Sequence, residues 1–318
     1  MPGTFIISFD CEGKWGVADH LTDSINSAFT NEHLNRAYQK LVDMLDQHGV
    51  KGTFAFVGAF TMPMEEYHEH KDWFSELEID GKPWFAAFRQ AALLGQFDGW
   101  FNPQCLAIVA QGGQHEIAAH GFSHLPLSEL IISREAFIRE IDLLKRVTNF
   151  KDRPEMTFIY PRNLIGYTDE LRKAGFIAYR NGIRPAGGIM NKGIFRLKGK
   201  IRNILREINL KESAQDHSKP EAIIGIPGGA PLNWRHGLRQ NIPISFTIKR
   251  WQNIIKDAIR HDKMVHLYTH PHNFITGDRM YFLLDEILKM VSQTLKRKEL
   301  VNQTQKEYAE SFITLKNI

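Results

Sequence analysis

Apolar strand-like runs and amphipathic helix-like segments alternate along most of this chain. Thr4 to Phe9 is a short apolar, β-prone run with the length of a buried strand. From Glu32 to Gln47 apolar residues recur at helical spacing, and Gly49 follows, so the pattern predicts an amphipathic helix that ends at this glycine. The same patterns predict further strands near 52–58, 116–119, 156–160, 176–180, 222–226 and 264–269, and further helices near 133–148, 168–174, 247–261 and 278–298. This alternation predicts an α/β fold built on a parallel barrel.

Two parts of the chain do not follow the simple alternation. Residues 60 to 112 are rich in aromatic side chains and predict a helical insertion after the second strand. This insertion could form a lid over a site or a subunit contact, or it could be a hydrophobic cluster packed on the side of the barrel. A last strand is predicted near Ser311 to Leu315. Because no repeat or linker interrupts the pattern, we expect a single domain over residues 1–318.

Two acidic residues lie directly at the end of the first strand. Asp10 and Glu12 are two positions apart, so their side chains point to the same side of an extended chain. One carboxylate can bind a metal ion while the other, held beside it, accepts a proton from water. The alternative is an exposed acidic turn that closes the strand.

The segment His-Gly-Phe-Ser-His at residues 120 to 124 is the strongest chemical signal. It follows an apolar run and contains a glycine, and Pro126 comes soon after, so His120 is predicted at a strand end and His124 in the following loop. The carboxyl ends of strands are where α/β barrel enzymes keep their active sites. Together with an acidic residue, two histidines supply three protein ligands and leave a position open, as in catalytic zinc sites.

A third cluster of histidines lies late in the chain. His266 and His270 fall on the same side of the predicted strand 264–269 and its end, with His266 deeper. We interpret His266 as a hydrogen-bonded core histidine. His270, at the strand's carboxyl end, is predicted as a fourth ligand or a general acid.

These motifs resemble those of the NodB-homology polysaccharide deacetylases, carbohydrate esterase family 4. The first motif of that family is a strand ending in an acidic pair, and Ser8-Phe9-Asp10-Cys11-Glu12-Gly13 is similar to it, with the second acid one residue later and changed to Glu. The His-x-x-x-His motif is matched by His120 and His124. The resemblance spans nearly the whole chain and implies a distorted (β/α) barrel of about seven strands.

Later motifs are matched less closely. Phe158-Ile159-Tyr160-Pro161-Arg162-Asn163 is similar to deacetylase-like proteins encoded with surface-polysaccharide genes, and Leu267-Tyr268-Thr269-His270 matches the family's last strand ending in His. The acidic residue that tunes the catalytic histidine in many members has no clear counterpart. The segment Ile226 to Trp234 occupies roughly that region and is either part of a sugar pocket or a plain Gly/Pro loop.

The resemblance implies a metal-dependent removal of an acetyl group from an N-acetylated sugar. Glu12, His120 and His124 would bind a divalent ion, most simply Zn²⁺, with Mn²⁺, Co²⁺ or Ni²⁺ as alternatives. Asp10 would be the general base and His270 the acid that protonates the leaving amine.

Four further residues are predicted around the substrate. Arg162 would hold Asp10 in its ionised state or contact the sugar, with a structural ion pair at the barrel rim as the alternative. Tyr160 and Asn163 would orient the substrate, and Trp234 would line the sugar pocket.

Composition and charge narrow the class of protein. The chain has 318 residues, a formal net charge of +4 and two cysteines, which argues against a nucleic-acid partner and against a disulfide framework. No apolar segment approaches the ~18 residues of a membrane span, and Met1-Pro2-Gly3 leads straight into the first strand, so we expect a cytoplasmic protein. The expected partner is a carbohydrate, nucleotide- or lipid-linked, and a homo-oligomer is possible. The Lys/Arg-rich stretch from 192 to 211 is interpreted as solvated surface, with binding of an anionic substrate as the alternative.

Other functions remain open at the level of sequence. One is a different amide hydrolase on the same scaffold, such as an allantoinase-like enzyme, which often lacks the metal ligands present here. Another is a non-catalytic carbohydrate-binding relative, which would not need both an acid and a base. A two-His-one-carboxylate iron oxygenase is a third, but its carboxylate usually lies close in sequence to one histidine.

Overall fold

A parallel, curled β-sheet organises the computed structural model, which describes residues 2–75, 77–79, 81–182 and 209–316. Within these residues the main sheet has nine strands in the order β8-β7-β6-β5-β2-β1-β10-β9, with β11 also paired to β1. The strands are β1 Thr4–Cys11, β2 Thr53–Phe56, β5 Glu116–Ala119, β6 Thr157–Ile159, β7 Ala178–Arg180, β8 Ile224–Ile226, β9 Ala230–Pro231, β10 Met264–Thr269 and β11 Val301–Asn302; a separate hairpin pairs β3 Glu78–Ile79 with β4 Lys82–Pro83. The α/β class and the distorted barrel are confirmed. The sheet has more strands than the seven expected. Two of them, β9 and β11, are only two residues long and too short to produce a hydropathy pattern.

Helices flank the sheet, and five of those described outside the insertion lie where helices were predicted, near 32–47, 133–148, 168–174, 247–261 and 278–298. Their bounds are α1 Asp23–Ala28, α2 Asn31–His48, α3 Met64–Glu69, α4 Ala86–Leu93, α5 Pro103–Ala110, α6 Arg134–Arg146, α7 Thr168–Lys173, α8 Ile244–His261, α9 Asp278–Lys296 and α10 Gln305–Lys316. In α2 the Thr30 side chain accepts a hydrogen bond from the His33 N–H, and Gly49 adopts a φ of 64° at the other end. Such caps satisfy backbone groups that the helix itself leaves unpaired.

The parallel register brings the polar strand ends to one edge of the sheet. β1 lies between β2 and β10, where Asp10 is opposite Ala55 and Phe9 is opposite Thr269. His120 follows β5, Arg180 ends β7 and His270 follows β10. Because all pairs in the main sheet are parallel, these side chains emerge at the same, carboxyl, edge.

The aromatic insertion packs against the loop that follows β1. This segment, Gly13–His20, is a 3₁₀ turn and is called the β1 loop here. Its Trp15 is 2 % exposed and contacts a cluster of buried aromatic rings from the insertion: Phe74, Phe85, Phe88, Trp100 and Phe101. The insertion is therefore a hydrophobic cluster, as one interpretation of the sequence held, and its position is under the β1 loop.

The predicted strand at Ser311 to Leu315 is wrong, because these residues belong to α10. The Thr304 hydroxyl accepts a hydrogen bond from the Glu307 N–H, and the Glu307 carboxylate accepts one from the Thr304 N–H. This reciprocal capping box starts a helix whose Tyr308 and Phe312 are buried one turn apart. The sequence carries this signal as Thr304-x-x-Glu307, in front of a segment whose residues 312 to 314 are β-prone.

Two further expectations can be compared with the described residues. Both cysteines, Cys11 and Cys105, are buried and free. Among the described helices, none has the length and apolar character that crossing a membrane requires. Most of the Lys/Arg-rich stretch from 192 to 211 lies outside the described residues.

Candidate metal and catalytic site

Three buried side chains converge at the carboxyl edge of the sheet. Glu12 Oε1 lies 3.2 Å from His120 Nε2 and 3.0 Å from His124 Nε2. Glu12 comes directly after β1 and His120 directly after β5, whereas His124 is carried by the next loop with a φ of 62°. Non-glycine residues seldom adopt this left-handed conformation, so the loop holds His124 in place at some backbone cost. The three residues predicted as ligands are thus brought together.

The donor set fits a divalent ion. His120 Nδ1 donates to the Ile159 carbonyl at 2.7 Å, which leaves the Nε2 lone pair facing Glu12. His124 Nε2 likewise faces Glu12 Oε1, at 3.0 Å, and both of its ring nitrogens are buried. An ion held between these atoms would accept the lone pairs of the two Nε2 atoms and of the carboxylate oxygen. Two imidazole nitrogens and one carboxylate oxygen are the donor types of catalytic zinc sites.

Glu12 is held in place by the turn of the β1 loop. A Cβ atom added at Gly16 would lie 1.7 Å from Glu12 Oε2, so the carboxylate occupies space that only glycine leaves free. Burial alone would raise the pKa of Glu12, but the charges of His124 and His270 and the close contact with His120 hold it well below its usual value. Burial also lowers the pKa of His124, although Glu12 opposes this effect. An ionised carboxylate and neutral imidazoles are the forms that bind metals.

Asp10 is held by an arginine that the sequence analysis missed. Arg180 Nη1 and Nη2 donate to the two oxygens of Asp10 at 2.6 and 2.7 Å, and Arg180 is 0 % exposed. Burial would raise the pKa of Asp10, but the charge and hydrogen bonds of Arg180 hold it below its ordinary value. A bidentate arginine fixes both the charge and the orientation of a carboxylate. The sequence did contain a signal for this role, because Arg180 ends the predicted strand 176–180. The carboxyl ends of parallel strands, including those that carry Asp10 and His120, lie at one edge of the sheet.

His270 lies between the candidate base and the candidate ligands. Its Nε2 is 3.4 Å from Glu12 Oε1 and 3.8 Å from Asp10 Oδ2, and its side chain is 31 % exposed. Burial lowers the pKa of His270, but the negative charge of Glu12, the contact with Glu12 and the charge of Asp10 outweigh it and raise the pKa. Its ring stacks on His272, whose centroid is 4.9 Å away. The residue can therefore carry a proton at the cavity wall.

Arg162 does not hold Asp10. Its Nη2 pairs with Asp19 Oδ2 at 2.9 Å, and its guanidinium lies 5.7 Å from the Trp84 ring centroid. The predicted ionising role is wrong because Arg180 occupies both oxygens of Asp10 from the other side. The rim ion pair given as an alternative is what forms, and Arg162 still lines the cavity beside the site.

The other predicted substrate residues have different positions. Tyr160 is 0 % exposed and donates its hydroxyl proton to the Gly166 carbonyl at 2.8 Å, so its polar end is already used in the core. The Asn163 side-chain oxygen accepts from Arg180 Nη2 at 3.0 Å, and the residue also lines the cavity. Trp234 lines the cavity too, with its ring stacked on His236 and its Nε1 donating to Thr276 at 2.8 Å. Tyr160 is thus a structural residue, whereas Asn163 and Trp234 face the site.

A cavity of about 370 Å³ opens over these groups. Asp10, Glu12, His124 and His270 lie in its wall. The rest of the wall is formed largely by the β1 loop, by Tyr268 of β10 and by the segments that follow β9 and β10, including Leu232, Trp234 and His272. The volume lies within the usual range for small-ligand pockets. The candidate acid, the candidate base and two of the three candidate ligands, Glu12 and His124, thus face one space that can hold a sugar-sized group.

Comparison with known proteins supports the resemblance. A model of the polysaccharide deacetylase family matches residues 22–175. A crystal structure from Mycobacterium smegmatis assigned to the polysaccharide deacetylases has a TM-score of 0.55 and 14 % identity, covering 99 % of this chain and 92 % of that one. One from Pseudomonas aeruginosa PAO1 with the same assignment gives 0.52 and 11 %, covering 97 % and 90 %.

Two further results limit what the comparisons establish. The structure of Puue allantoinase gives a TM-score of 0.54 at 9 % identity, covering 97 % of this chain and 90 % of that one. No curated protein matches the chain. At these identities the structural likeness establishes the fold alone.

Proposed function

We propose that the chain is a metal-dependent hydrolase that removes an acetyl group from an N-acetylated sugar, as the match of residues 22–175 to the polysaccharide deacetylase family supports. The observation that carries the proposal is the position of Asp10 and His270 beside the cluster of Glu12, His120 and His124, on the wall of one cavity. A base, an acid and a three-ligand set are what amide hydrolysis with metal assistance requires.

Glu12, His120 and His124 would hold the ion, with zinc as the first expectation and Mn²⁺, Co²⁺ or Ni²⁺ as alternatives. A divalent ion bound there supplies Lewis-acid polarisation of water and of the amide carbonyl. The convergence of His120 Nε2 and His124 Nε2 on Glu12 Oε1, at 3.2 and 3.0 Å, supports this assignment.

Asp10 and His270 would move the protons. Asp10, kept ionised by Arg180, accepts a proton from the attacking water. His270 donates a proton to the sugar nitrogen as the C–N bond breaks, because an amine leaves poorly without one. The products are acetate and a free amino sugar.

The finer features of the substrate are part of the proposal. We propose a nucleotide- or lipid-linked sugar that is a precursor of a surface polysaccharide, supported by the resemblance of Tyr160-Pro161-Arg162-Asn163 to proteins encoded with such genes. Trp234 offers an apolar face for the sugar at the cavity wall. A cytoplasmic location and a homo-oligomeric state are proposed with it.

The metal site is tested by elemental analysis of protein purified without chelator or His-tag. We expect one divalent ion per chain, lost in His120→Ala and in His124→Ala. Asp10→Asn should keep the ion, since Asp10 is not needed to bind it. An unchanged metal content in both histidine variants would contradict the ligand assignment.

The reaction is tested by acetate release from nucleotide-, lipid- and polymer-linked N-acetyl sugars. We expect release by the wild type and a loss of about 10²–10⁴-fold in Asp10→Asn and His270→Ala. The loss in His270→Ala should be far smaller with an activated aryl ester, whose leaving group needs no proton. Equal losses on amide and ester would contradict the acid role of His270. Hydrolysis of allantoin without acetate release would instead favour the other amide hydrolase considered from the sequence.

A further inference from the structure

Arg180 is the centre of a buried hydrogen-bond network beneath the candidate base. An arginine has five N–H donors. Besides the two bonds to Asp10, Nη1 donates to Ser8 Oγ at 3.2 Å, and Nε and Nη2 donate to Asn163 Oδ1 at 3.3 and 3.0 Å. All five donors therefore have acceptors, and the ring of Tyr268 lies 4.4 Å from the guanidinium carbon. A guanidinium with every donor used has one favoured orientation.

The contact to Ser8 continues to a second buried histidine. Ser8 Oγ lies 2.8 Å from His266 Nε2, and His266 Nδ1 lies 2.8 Å from the Pro227 carbonyl. Ser8 is 0 % exposed and His266 is 1 % exposed, so water does not compete for these atoms. His266 is the hydrogen-bonded core histidine that the sequence predicted.

The acceptors at the two ends fix the direction of every proton in this chain of contacts. The Pro227 carbonyl can only accept, so His266 Nδ1 carries the hydrogen and Nε2 of the neutral ring presents a lone pair. The Ser8 hydroxyl then donates to Nε2, and its oxygen lone pairs face Arg180 Nη1. A protonated His266 would turn an N–H toward Ser8 and place a second cation beside Arg180.

We propose that Ser8 and His266 are positioning residues for the catalytic base, acting through Arg180 to hold the two oxygens of Asp10 toward the cavity. The inference rests on the proposed function, in which Asp10 is the base. Neither Ser8 nor His266 lines that cavity, so their effect passes through Arg180. The chain runs from the Pro227 carbonyl through His266, Ser8 and Arg180 to Asp10.

The first experiment measures the hydrogen-bond network by NMR and does not depend on enzymatic activity. Nitrogen NMR of ¹⁵N-histidine- and ¹⁵N-arginine-labelled protein at pH 7 should show His266 neutral with its hydrogen on Nδ1, and slowly rotating Arg180 Nη groups. Ser8→Ala should shift the His266 Nε2 signal and speed the rotation of the Arg180 Nη1 group. An Nε2–H tautomer, an imidazolium, or an Arg180 signal unaffected by Ser8→Ala would overturn the proposal.

The second experiment measures, through kcat, how loss of the Ser8 and His266 contacts affects the proposed base Asp10. The zinc-loaded protein is assayed with 4-nitrophenyl acetate, which needs a base for attack by water but no acid for its leaving group. Ser8→Ala should lower kcat about tenfold with KM unchanged, the size expected for one buried charge-assisted hydrogen bond. In the Ser8→Ala background, His266→Gln should cause little further loss, because both substitutions break the same chain.

Thr294→Val is the matched control. The buried Thr294 hydroxyl donates to the Val291 carbonyl at 2.7 Å in α9, away from the cavity, so its loss should lower Tm but leave kcat unchanged. Additive losses from Ser8→Ala and His266→Gln, or an unchanged kcat in Ser8→Ala, would overturn the positioning role. If the wild type hydrolyses neither the ester nor any sugar, the proposed function fails, while the NMR experiment still decides whether the network holds Arg180.

Discussion

At the scale of single residues, the site depends on which arginine reaches Asp10. Arg180 ends β7, three strands beyond β2 in the sheet, and its side chain reaches across to β1. The bond is bidentate and fully buried, whereas the Arg162–Asp19 pair is partly exposed, with side chains 35 % and 37 % accessible. Exposed pairs contribute little to stability, while loss of one partner of a buried pair is costly. Arg180 is therefore the residue whose change should matter most.

We expect Arg180→Lys to lower kcat by about 10²-fold or more while the metal content is unchanged. A lysine keeps the positive charge but cannot make the two parallel bonds that orient the Asp10 carboxylate. The measurement is acetate release together with elemental analysis of the same preparation.

Arg250→Lys is a suitable control for this substitution. Arg250 is 1 % exposed and pairs with Glu212 outside the cavity wall, so its change should cost comparable stability with kcat retained. Equal kcat values for wild type and Arg180→Lys would contradict the role assigned to Arg180.

At the scale of elements, the insertion and the β1 loop form one packing unit. Phe88 of α4 lies 4.9 Å from the Trp15 ring and 5.4 Å from that of Trp100, measured between centroids. Trp15 Nε1 donates to the Trp100 carbonyl at 2.7 Å, which fastens the β1 loop to the insertion. Because Glu12 immediately precedes this loop, the insertion contributes to the metal site through packing, without a ligand of its own.

We expect Phe88→Ala to lower both stability and metal affinity. Truncating a buried phenylalanine typically costs about 3–5 kcal/mol of unfolding free energy. A looser β1 loop should also weaken zinc binding about tenfold, as loss of supporting contacts around ligands commonly does. Denaturant unfolding and competition with a chelator measure the two effects.

Phe312→Ala is a control that separates the loss of stability from the loss of zinc affinity. Phe312 is 4 % exposed and packs on Tyr308 in α10, in a hydrophobic cluster separate from the one that holds Trp15 and Phe88. Its truncation should cost similar stability with zinc affinity unchanged. A loss of zinc affinity as large as that of Phe88→Ala would mean that general destabilisation, rather than the β1 loop, is responsible.

At the scale of the whole molecule, the buried histidine beneath the site makes folding sensitive to acid. Burial, reinforced by the charge of Arg180, lowers the pKa of His266 to about 3, against the opposing effects of the Pro227 carbonyl and Asp10. Below pH 6.5 the unfolded chain takes up a proton at this residue, and the folded protein does so only near pH 3. The free energy of unfolding therefore falls as pH decreases through this window, by on the order of 5 kcal/mol from this group.

We expect His266→Gln to make the free energy of unfolding depend less steeply on pH between about 6.5 and 3, because glutamine does not titrate. The comparison is urea unfolding of wild type and variant at several pH values. Glu212, which shares a small cavity with His266, is paired with Arg250 in both proteins. Parallel pH dependences would show that His266 does not carry this part of the acid sensitivity.

Local patterns in the sequence determined most of the elements and the first ligands. The strand ending in Asp10 and Glu12, the strand before His120 and the strand before His270 are short apolar runs, each followed at once by polar chemistry. In a parallel sheet such ends must meet at one edge, so the acid pair and the histidines could be brought together from the alternation alone. The helix at the end of the chain also has a local signal, the capping box of Thr304 and Glu307, although a strand was predicted there.

Only the tertiary structure decided which side chains satisfy one another across the sheet. The sequence motif pointed to Arg162 as the partner of Asp10. The register of β7 against β6 instead places Arg180 beside Asp10, and Arg162 pairs with Asp19. Likewise, the aromatic residues of the insertion indicated a hydrophobic cluster, but the sequence did not show that this cluster packs against the β1 loop. Hydrophobic periodicity records whether a position is buried, since burial repeats with the local geometry of a strand or helix. It does not record which distant group lies opposite, because that depends on strand order and register, which no single segment contains.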